Sequence, residues 1–340
     1  MGDIALARQK VLGISDASGV AEARRAVAQL GSTAQFDERT SGELALAVTE
    51  AGTNIFKHAR EGSIVARILE RGGAYGIEVL AIDKGPGIAN IAASMRDGHS
   101  TSGTPGAGLG ALQRMTSDLQ VWSRPGAGTI VRFEVWQKSA VPAGAALMKG
   151  VISQEMAGEP ICGDAWSVSQ GPGRVVVFVV DGLGHGPDAA AASRAALEAV
   201  QKNLQRDGPN LMEAVHGALR PTRGAAAAVA LLEPESERCS FCGIGNISAT
   251  IRSAGASRSM VSHNGILGHQ VRKMQEFQYP FPKGALLVMH SDGIATHWDL
   301  ADYPGIETRH PAMVSAALFR DHSRKRDDLT VLALRNEGRP

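Results

Sequence analysis

Arg174-Val175-Val176-Val177-Phe178-Val179-Val180-Asp181-Gly182-Leu183-Gly184-His185-Gly186 is a mostly β-branched apolar run followed by an acid and a glycine-rich turn. That order reads as a buried strand delivering Asp181 to its end. Three more acidic stations share the pattern. Cys162-Gly163-Asp164 precedes a strand over Ala165 to Gln170, Ser291-Asp292-Gly293 follows the apolar run Ala285 to His290, and Arg326-Asp327-Asp328-Leu329-Thr330 launches a strand over Leu329 to Leu334. One Asp-Gly alone is an ordinary turn. Four stations at strand ends, without paired histidines, supply hard oxygen donors of the kind that hold two Mg²⁺ or Mn²⁺ ions in preference to zinc. Two such ions can polarise a phosphate ester and acidify a shared water. His185, inside a glycine turn, reads as structural and stays outside the catalytic set. Helices over Pro187 to Leu204 and Pro311 to His322 are expected to pack on the sheets so formed.

The first half carries a different set. From Glu43 to His58 the apolar residues Leu44, Val48, Ala51 and Ile55 recur at helical spacing, which predicts an amphipathic helix with one buried stripe. Glu50 and Asn54 lie one turn apart on its other side, where an amide oxygen can ligate Mg²⁺ and a carboxylate can reach a nucleophile beside a γ-phosphate. Ser63 to Glu70 and Tyr75 to Ile82 alternate apolar and polar around Arg-Gly-Gly-Ala, a hairpin that presents Asp83 at a strand end. In Asp83-Lys84-Gly85-Pro86-Gly87-Ile88 the carboxylate can accept from an adenine amino group, and Gly85 and Gly87 let the backbone pass close to base and ribose. Gly106-Ala107-Gly108-Leu109-Gly110 then opens a helix over Ala111 to Ser117, a place where backbone amides meet phosphates. Ser100 to Gly106 has no apolar periodicity and is expected to order over bound nucleotide.

Length and composition agree with two such units. A chain of 340 residues with 44% hydrophobic content can fill two cores. A net charge of +1 with no long basic run excludes a nucleic-acid binder. No apolar run approaches a membrane span, so the expected location is the cytoplasm, without membrane association. Cys162, Cys239 and Cys242 are too few for a disulfide framework, and the single Cys-x-x-Cys has no second pair to complete a zinc site. They are expected to be reduced and structural. The small-residue stretch between Gln137 and Lys149 separates the two motif sets, which places one domain over 1–137, a linker over 138–148 and a second domain over 149–340.

From about Val11 to Trp136 these residues resemble the GHKL (Bergerat-fold) ATPases, within them the RsbT/RsbW-like serine kinases and anti-sigma factors of bacterial partner switching. The resemblance implies a two-layer α/β sandwich that binds ATP and Mg²⁺. Glu50 would be its general base, Asn54 its Mg²⁺ ligand, Asp83 its adenine-binding carboxylate, and Gly106, Gly108, Leu109 and Gly110 its phosphate loop. Val121 to Thr129 is similar to the last strand pair of that fold, and Asp16 or Ser15 would cap a first helix from Ala17 to Leu30. From about Lys149 to Arg335 the chain resembles the type 2C metal-dependent protein phosphatases of the SpoIIE/RsbX branch. That implies a four-layer αββα fold, so the whole chain is expected to be α+β. Asp181 would bridge two Mn²⁺ or Mg²⁺ ions, Gly182 would add its carbonyl, and Asp164, Asp292 and Asp327 would complete the set. Asp328 stands where that family often has Asn, which makes Asp327 the preferred ligand of the pair.

Together the resemblances imply a bifunctional regulator that phosphorylates a serine or threonine of a STAS-domain partner and hydrolyses a phosphoserine or phosphothreonine. The alternative is an ATP-dependent binding module, holding a sigma factor or a phosphatase activator, that controls a phosphatase. Glu50 favours catalysis, because binding alone needs no base beside Asn54.

Overall fold

The computed structural model describes residues 3–4, 9–95, 108–137 and 146–338. The chain divides into two compact units. One is Ala7–Ala143, and the other joins Met1–Leu6 to Gly144–Pro340. A two-residue strand β1 (Asp3–Ile4) accounts for the split assignment: it pairs antiparallel with Val168 and Ser167 of the second unit. The opening residues therefore leave the N-terminal domain in which the sequence reading put them.

The Ala7–Ala143 unit begins with β2 (Gln9–Ile14) and α1 (Ala17–Thr33). Asp16 caps α1, its Oδ1 accepting from Gly19 N at 2.9 Å. α2 (Glu38–Asn54) follows and passes into a π-helical turn, Ile55–Ala59. β3 (Gly62–Arg71) and β4 (Ala74–Asp83) turn at Gly72 and Gly73, both at positive φ. After the short α3 (Ile91–Ser94) come α4 (Leu109–Met115), β5 (Ser117–Ser123) and β6 (Thr129–Trp136). The five strands form one antiparallel sheet in the order β2-β3-β4-β6-β5. One face, bearing Ile64, Ala66, Ile77, Val79, Val131 and Phe133, packs against Val27, Leu44, Val48, Ala51 and Leu112 of the helices to make the core of a two-layer sandwich.

The polar positions of β3, β4 and β6 are not left to water. Arg67 Nε lies 2.5 Å from Glu78, Arg132 Nε 2.7 Å from the same carboxylate, and Arg71 2.6 Å from Glu134, which also accepts from Arg132 and from Trp136 Nε1. Arg132 is fully buried. Burial alone would lower its guanidinium pKa, but Glu78, Glu134 and Asp118 together hold it above the usual value.

The second unit contains β7 (Leu147–Gln154), β8 (Asp164–Gly171), β9 (Arg174–Gly182), α5 (Gly186–Gln201), α6 (Gly208–Leu219), β10 (Ala225–Glu233), β11 (Arg238–Ile244), β12 (Ser248–Ser253) and β13 (Ala256–Ser259). The short β14 (Ser262–His263), β15 (Gly265–Ile266), β16 (Gln270–Val271) and β17 (Phe277–Pro280) lead to β18 (Leu286–His290), α7 (Pro311–His322) and β19 (Leu329–Asn336). One sheet runs β1-β8-β9-β10-β11-β14, with β17 also on β11, and the other runs β13-β12-β18-β19-β7. Val177, Val179, Phe241, Leu287 and Leu332 fill the space between them. Val176, Phe178, Val180 and Val229 face Ala196, Val200, Leu211 and Val215 of α5 and α6. α7 covers the second sheet through β7, where a Cβ on Gly150 would overlap Ala312. The four layers are thus helix, sheet, sheet, helix. The alanine run Ala225 to Ala228 lets β10 pack on both faces, Ala227 toward the helices and Ala228 toward the other sheet. Among the described residues no helix is long and apolar enough to cross a membrane, and all three cysteines are free thiols.

Candidate functional site

In the first unit α2 presents Glu50 and Asn54 half-buried at its C-terminal end, opposite the Leu44, Val48 and Ala51 stripe. Among the described residues neither side chain has a hydrogen-bond or ion-pair partner. The π-helical turn that follows Asn54 abuts the Asp83 loop: a Cβ on Gly85 would stand 2.6 Å from the Ala59 Cβ, and one on Gly62 would strike Ile82 and Ile55. Asp83 Oδ1 accepts from Gly85 N at 2.8 Å and Thr129 N at 3.2 Å, so two amides fix the carboxylate's orientation. Gly126 N donates to Pro86 O and Gly128 N to Gly85 O, which laces this loop to the hairpin between β5 and β6.

Two expectations change in detail. Gly87 is at φ +75° and a Cβ there would overlap the Arg124 carbonyl, so Gly87 is needed for protein packing, and Gly85 for contact with Ala59. The helix after the glycine loop runs Leu109–Met115, not Ala111 to Ser117, because Thr116 turns its hydroxyl back to Leu112 O at 2.6 Å and Ser117 enters β5. Gly108 precedes that helix with open space at its Cα, while Leu109 is buried in the core and can offer only its amide to a phosphate. Gly106 and the Ser100 to Gly106 segment lie outside the described residues.

In the second unit the acidic stations converge. Asp164 and Asp181 are register partners on β8 and β9. Burial and then Asp292, Asp327 and Asp328 push the Asp181 carboxyl up to about 7. Asp164 is raised well above the carboxylate range, first by burial and then by Asp181. Asp327, exposed beside them, is raised by burial and by Asp292. Asn246 Nδ2 donates to Asp292 Oδ2 at 2.8 Å and its side chain also bonds Asp181. Ser291 Oγ donates to Asp164 Oδ2 at 2.6 Å and accepts from Thr330 N at 3.0 Å, tying β18, β8 and β19 together.

Oxygen donors this close repel one another unless cations sit among them, and the structure carries the corresponding defect. Asp164 Oδ1 and Asp328 Oδ2 are buried with no hydrogen-bond partner. An all-oxygen set with orphaned buried oxygens fits Mg²⁺ or Mn²⁺. The Gly182 peptide is held at the Ala189 backbone, where a Cβ would overlap the Ala189 carbonyl. Asp327 and Asp328 differ in kind: Asp328 Oδ1 takes Met156 N at 2.9 Å, whereas Asp327 takes only its neighbour's amide at 2.9 Å and faces Asp292.

The sequence reading missed three residues here. Ser291 was given no role within its station, Asn246 lies in no repeated pattern, and Glu159 lies in a loop. Glu159 Oε1 accepts from His185 Nδ1 at 2.5 Å, and its other oxygen fills the space beside Gly186. His185 is half-exposed, does not cap α5, and acts on Asp327 electrostatically.

The histidine kinase-like ATPase domain family matches residues 15–135, and the stage II sporulation protein E (SpoIIE) family matches residues 171–337. The serine/threonine-protein kinase RsbT of Bacillus subtilis is 34% identical over 102 residues, which are 30% of this chain and 76% of RsbT. In its N-terminal part this chain belongs to the histidine kinase-like ATPase family, and its C-terminal part carries a SpoIIE-like domain. The phosphoserine phosphatase RsbX of the same organism is 27% identical over 138 residues, covering 40% of this chain and 69% of RsbX. A chain from the structure of the bacterial stressosome, a modular system adapted to control secondary messenger signaling, is 29% identical with a TM-score of 0.53 and covers 56% of this chain and 100% of its own. The PP2C phosphatase domain and regulatory fragment of SpoIIE from Bacillus subtilis, 18% identical over 81% of this chain and 83% of its own with a TM-score of 0.50, has the same fold. The architecture is therefore that of partner-switching regulators, an RsbT-like ATPase domain and a type 2C phosphatase fold in one chain. Members of these families generally use ATP and Mg or Mn.

Proposed function

We propose that the chain both adds and removes phosphate on a partner protein. The second unit is a serine/threonine phosphatase, and the observation that carries this is the convergence of Asp164, Asp181, Asp292 and Asp327 with buried oxygens lacking a partner. Divalent Mn²⁺ or Mg²⁺ held by those four carboxylates and the Gly182 carbonyl would polarise the phosphoester and acidify the attacking water. Asn246 and Ser291 hold the carboxylates in place. Glu159 accepts the Nδ1 hydrogen of His185 and fixes the ring beside Asp327.

In the first unit Asp83 accepts from the adenine amino group, its carboxylate oriented by Gly85 N and Thr129 N. Asn54 would hold the Mg²⁺ of Mg-ATP, the amides of Gly106, Gly108, Leu109 and Gly110 would receive the phosphates, and Glu50 would take the proton of the attacking hydroxyl. The likeness to RsbT, RsbX and a stressosome chain points to a STAS-domain protein as the substrate of both reactions, in the cytoplasm.

The test uses the full chain with a purified STAS-domain protein. Glu50→Gln is expected to keep ATP affinity and lose phosphotransfer by about 100-fold, and Asp181→Asn to abolish Mn²⁺-dependent phosphate release while leaving phosphotransfer intact. Phosphotransfer by Glu50→Gln at the wild-type rate would leave the first unit as a nucleotide-dependent binding module for a sigma factor or phosphatase activator. Undiminished release by Asp181→Asn would remove the two-metal reading.

A further inference from the structure

Arg324, Lys325 and Arg326 stand directly before Asp327, and all three are exposed. Several arginines of this unit are engaged: Arg252 with Asp299 and Glu307, Arg320 with Asp321, Arg335 with Glu337. Among the described residues the side chains of Arg324, Lys325 and Arg326 have no ion pair or hydrogen bond. Their backbone, in contrast, is fixed. Arg324 N donates to Gly293 O at 2.8 Å, Ser323 bridges Ile294, and Lys325 adopts φ +57°, a conformation that residues with a side chain rarely take. This turn is thus strung between Asp292-Gly293 on one side and Asp327 on the other, two stations of the aspartate cluster.

Charge explains what such a turn is for. Fully ionised, as metal binding would require, Asp164, Asp181, Asp292, Asp327 and Asp328 would bring five negative charges to one site. Two divalent ions leave it about one charge negative, and a phosphoserine arrives with nearly two more. The centre therefore does not attract its substrate from a distance. Three unpaired cations within about one Debye length of it reverse the sign of the rim. Exposed charges at a rim act on encounter and on neighbours of the reacting group, not on chemistry at the centre.

We propose that Arg324, Lys325 and Arg326 form a docking rim that selects phosphoserine segments with acidic flanking residues. The inference rests on the phosphatase reading and adds its substrate class. The full-length protein with Mn²⁺ is given two phosphoserine peptides, identical except for Asp/Glu or Asn/Gln flanks, and p-nitrophenyl phosphate. Wild type is expected to prefer the acidic peptide roughly ten-fold in kcat/KM, through KM, with the preference shrinking as salt rises. The triple variant Arg324→Gln, Lys325→Gln, Arg326→Gln should treat both peptides alike and keep its p-nitrophenyl phosphate turnover. Lys325→Gln alone, which leaves Asp327's neighbour Arg326 intact, should lose about two-fold of the preference. Equal use of the two peptides by wild type, or an unchanged preference in the triple variant, overturns the rim. Failure of wild type to hydrolyse any of the three substrates would instead remove the phosphatase reading, and the rim with it.

Discussion

At Gly87 the backbone stands at φ +75°, and the space that a Cβ would take is filled by the Arg124 carbonyl. Both conditions exclude a side chain. Gly87→Ala is expected to destabilise the ATPase unit by about 2 kcal/mol, measured as a shift in its urea midpoint at constant slope. A change below about 0.5 kcal/mol would show that the hairpin between β5 and β6 yields freely. The residue type was legible in the sequence, while its reason was not: a glycine that admits a ligand and a glycine that admits another strand's carbonyl read alike. The same limit applies to His185, whose partner Glu159 is 26 residues away in a loop. Asp181 and Asp164 were legible because a strand end is visible as an apolar run, and two strand ends facing each other require only a hairpin.

Elements were read best where their hydrophobic period was strong. α7 was expected over Pro311 to His322 and occupies those residues. α2 was expected to start at Glu43, where its apolar stripe begins, yet it starts at Glu38 because Asp37 Oδ1 accepts from Thr40 N at 2.7 Å. The larger omission was in β3, β4 and β6, whose alternation normally marks a face left in solvent. Here Arg67, Glu78, Arg132 and Glu134 are buried and neutralise one another. Sequence cannot show this, since cross-strand partners are set by register: Glu78 lies opposite both Arg67 and Glu134. Arg132 is the member that donates to both buried carboxylates and offsets their mutual repulsion. Arg132→Leu is expected to cost about 3–5 kcal/mol, seen as an early transition of this unit in thermal unfolding. The double variant Arg132→Leu, Glu78→Gln should recover part of that loss, because it removes one of the charges left unpaired. No recovery would mean that packing of the arginine stem, not charge, is what the ladder supplies.

At the scale of the whole molecule, the order of two motif sets across a small-residue stretch was enough to foresee two units, while the pairing of Asp3 and Ile4 with β8 had no signature in two residues. The second unit also couples its stability to its metal chemistry. Burial, with Asp292, Asp327 and Asp328, holds the Asp181 proton up to about 7 in the folded chain, against an ordinary carboxylate value in the unfolded one. A carboxyl that binds its proton more tightly when folded stabilises the fold fully below the unfolded value, near 4, and that contribution is lost as pH rises through about 7. Without metal, Asp181→Asn should therefore gain in melting temperature over wild type as pH goes from 5 to 8, by roughly 5 °C at the upper end. The comparison with the variant matters because Asp16, Glu233 and Asp299, whose carboxyls are held low by hydrogen bonds, act with the opposite sign at lower pH and cancel in the difference. Millimolar Mn²⁺ should reverse the order of the two proteins, since it binds the folded wild type and displaces the same protons. Differential scanning calorimetry of both proteins in chelator and in Mn²⁺ measures this directly. A chelator-side difference that stays flat from pH 5 to 8 would mean the carboxylates are spaced widely enough to ionise independently, and the crowding that argues for two cations would go with it.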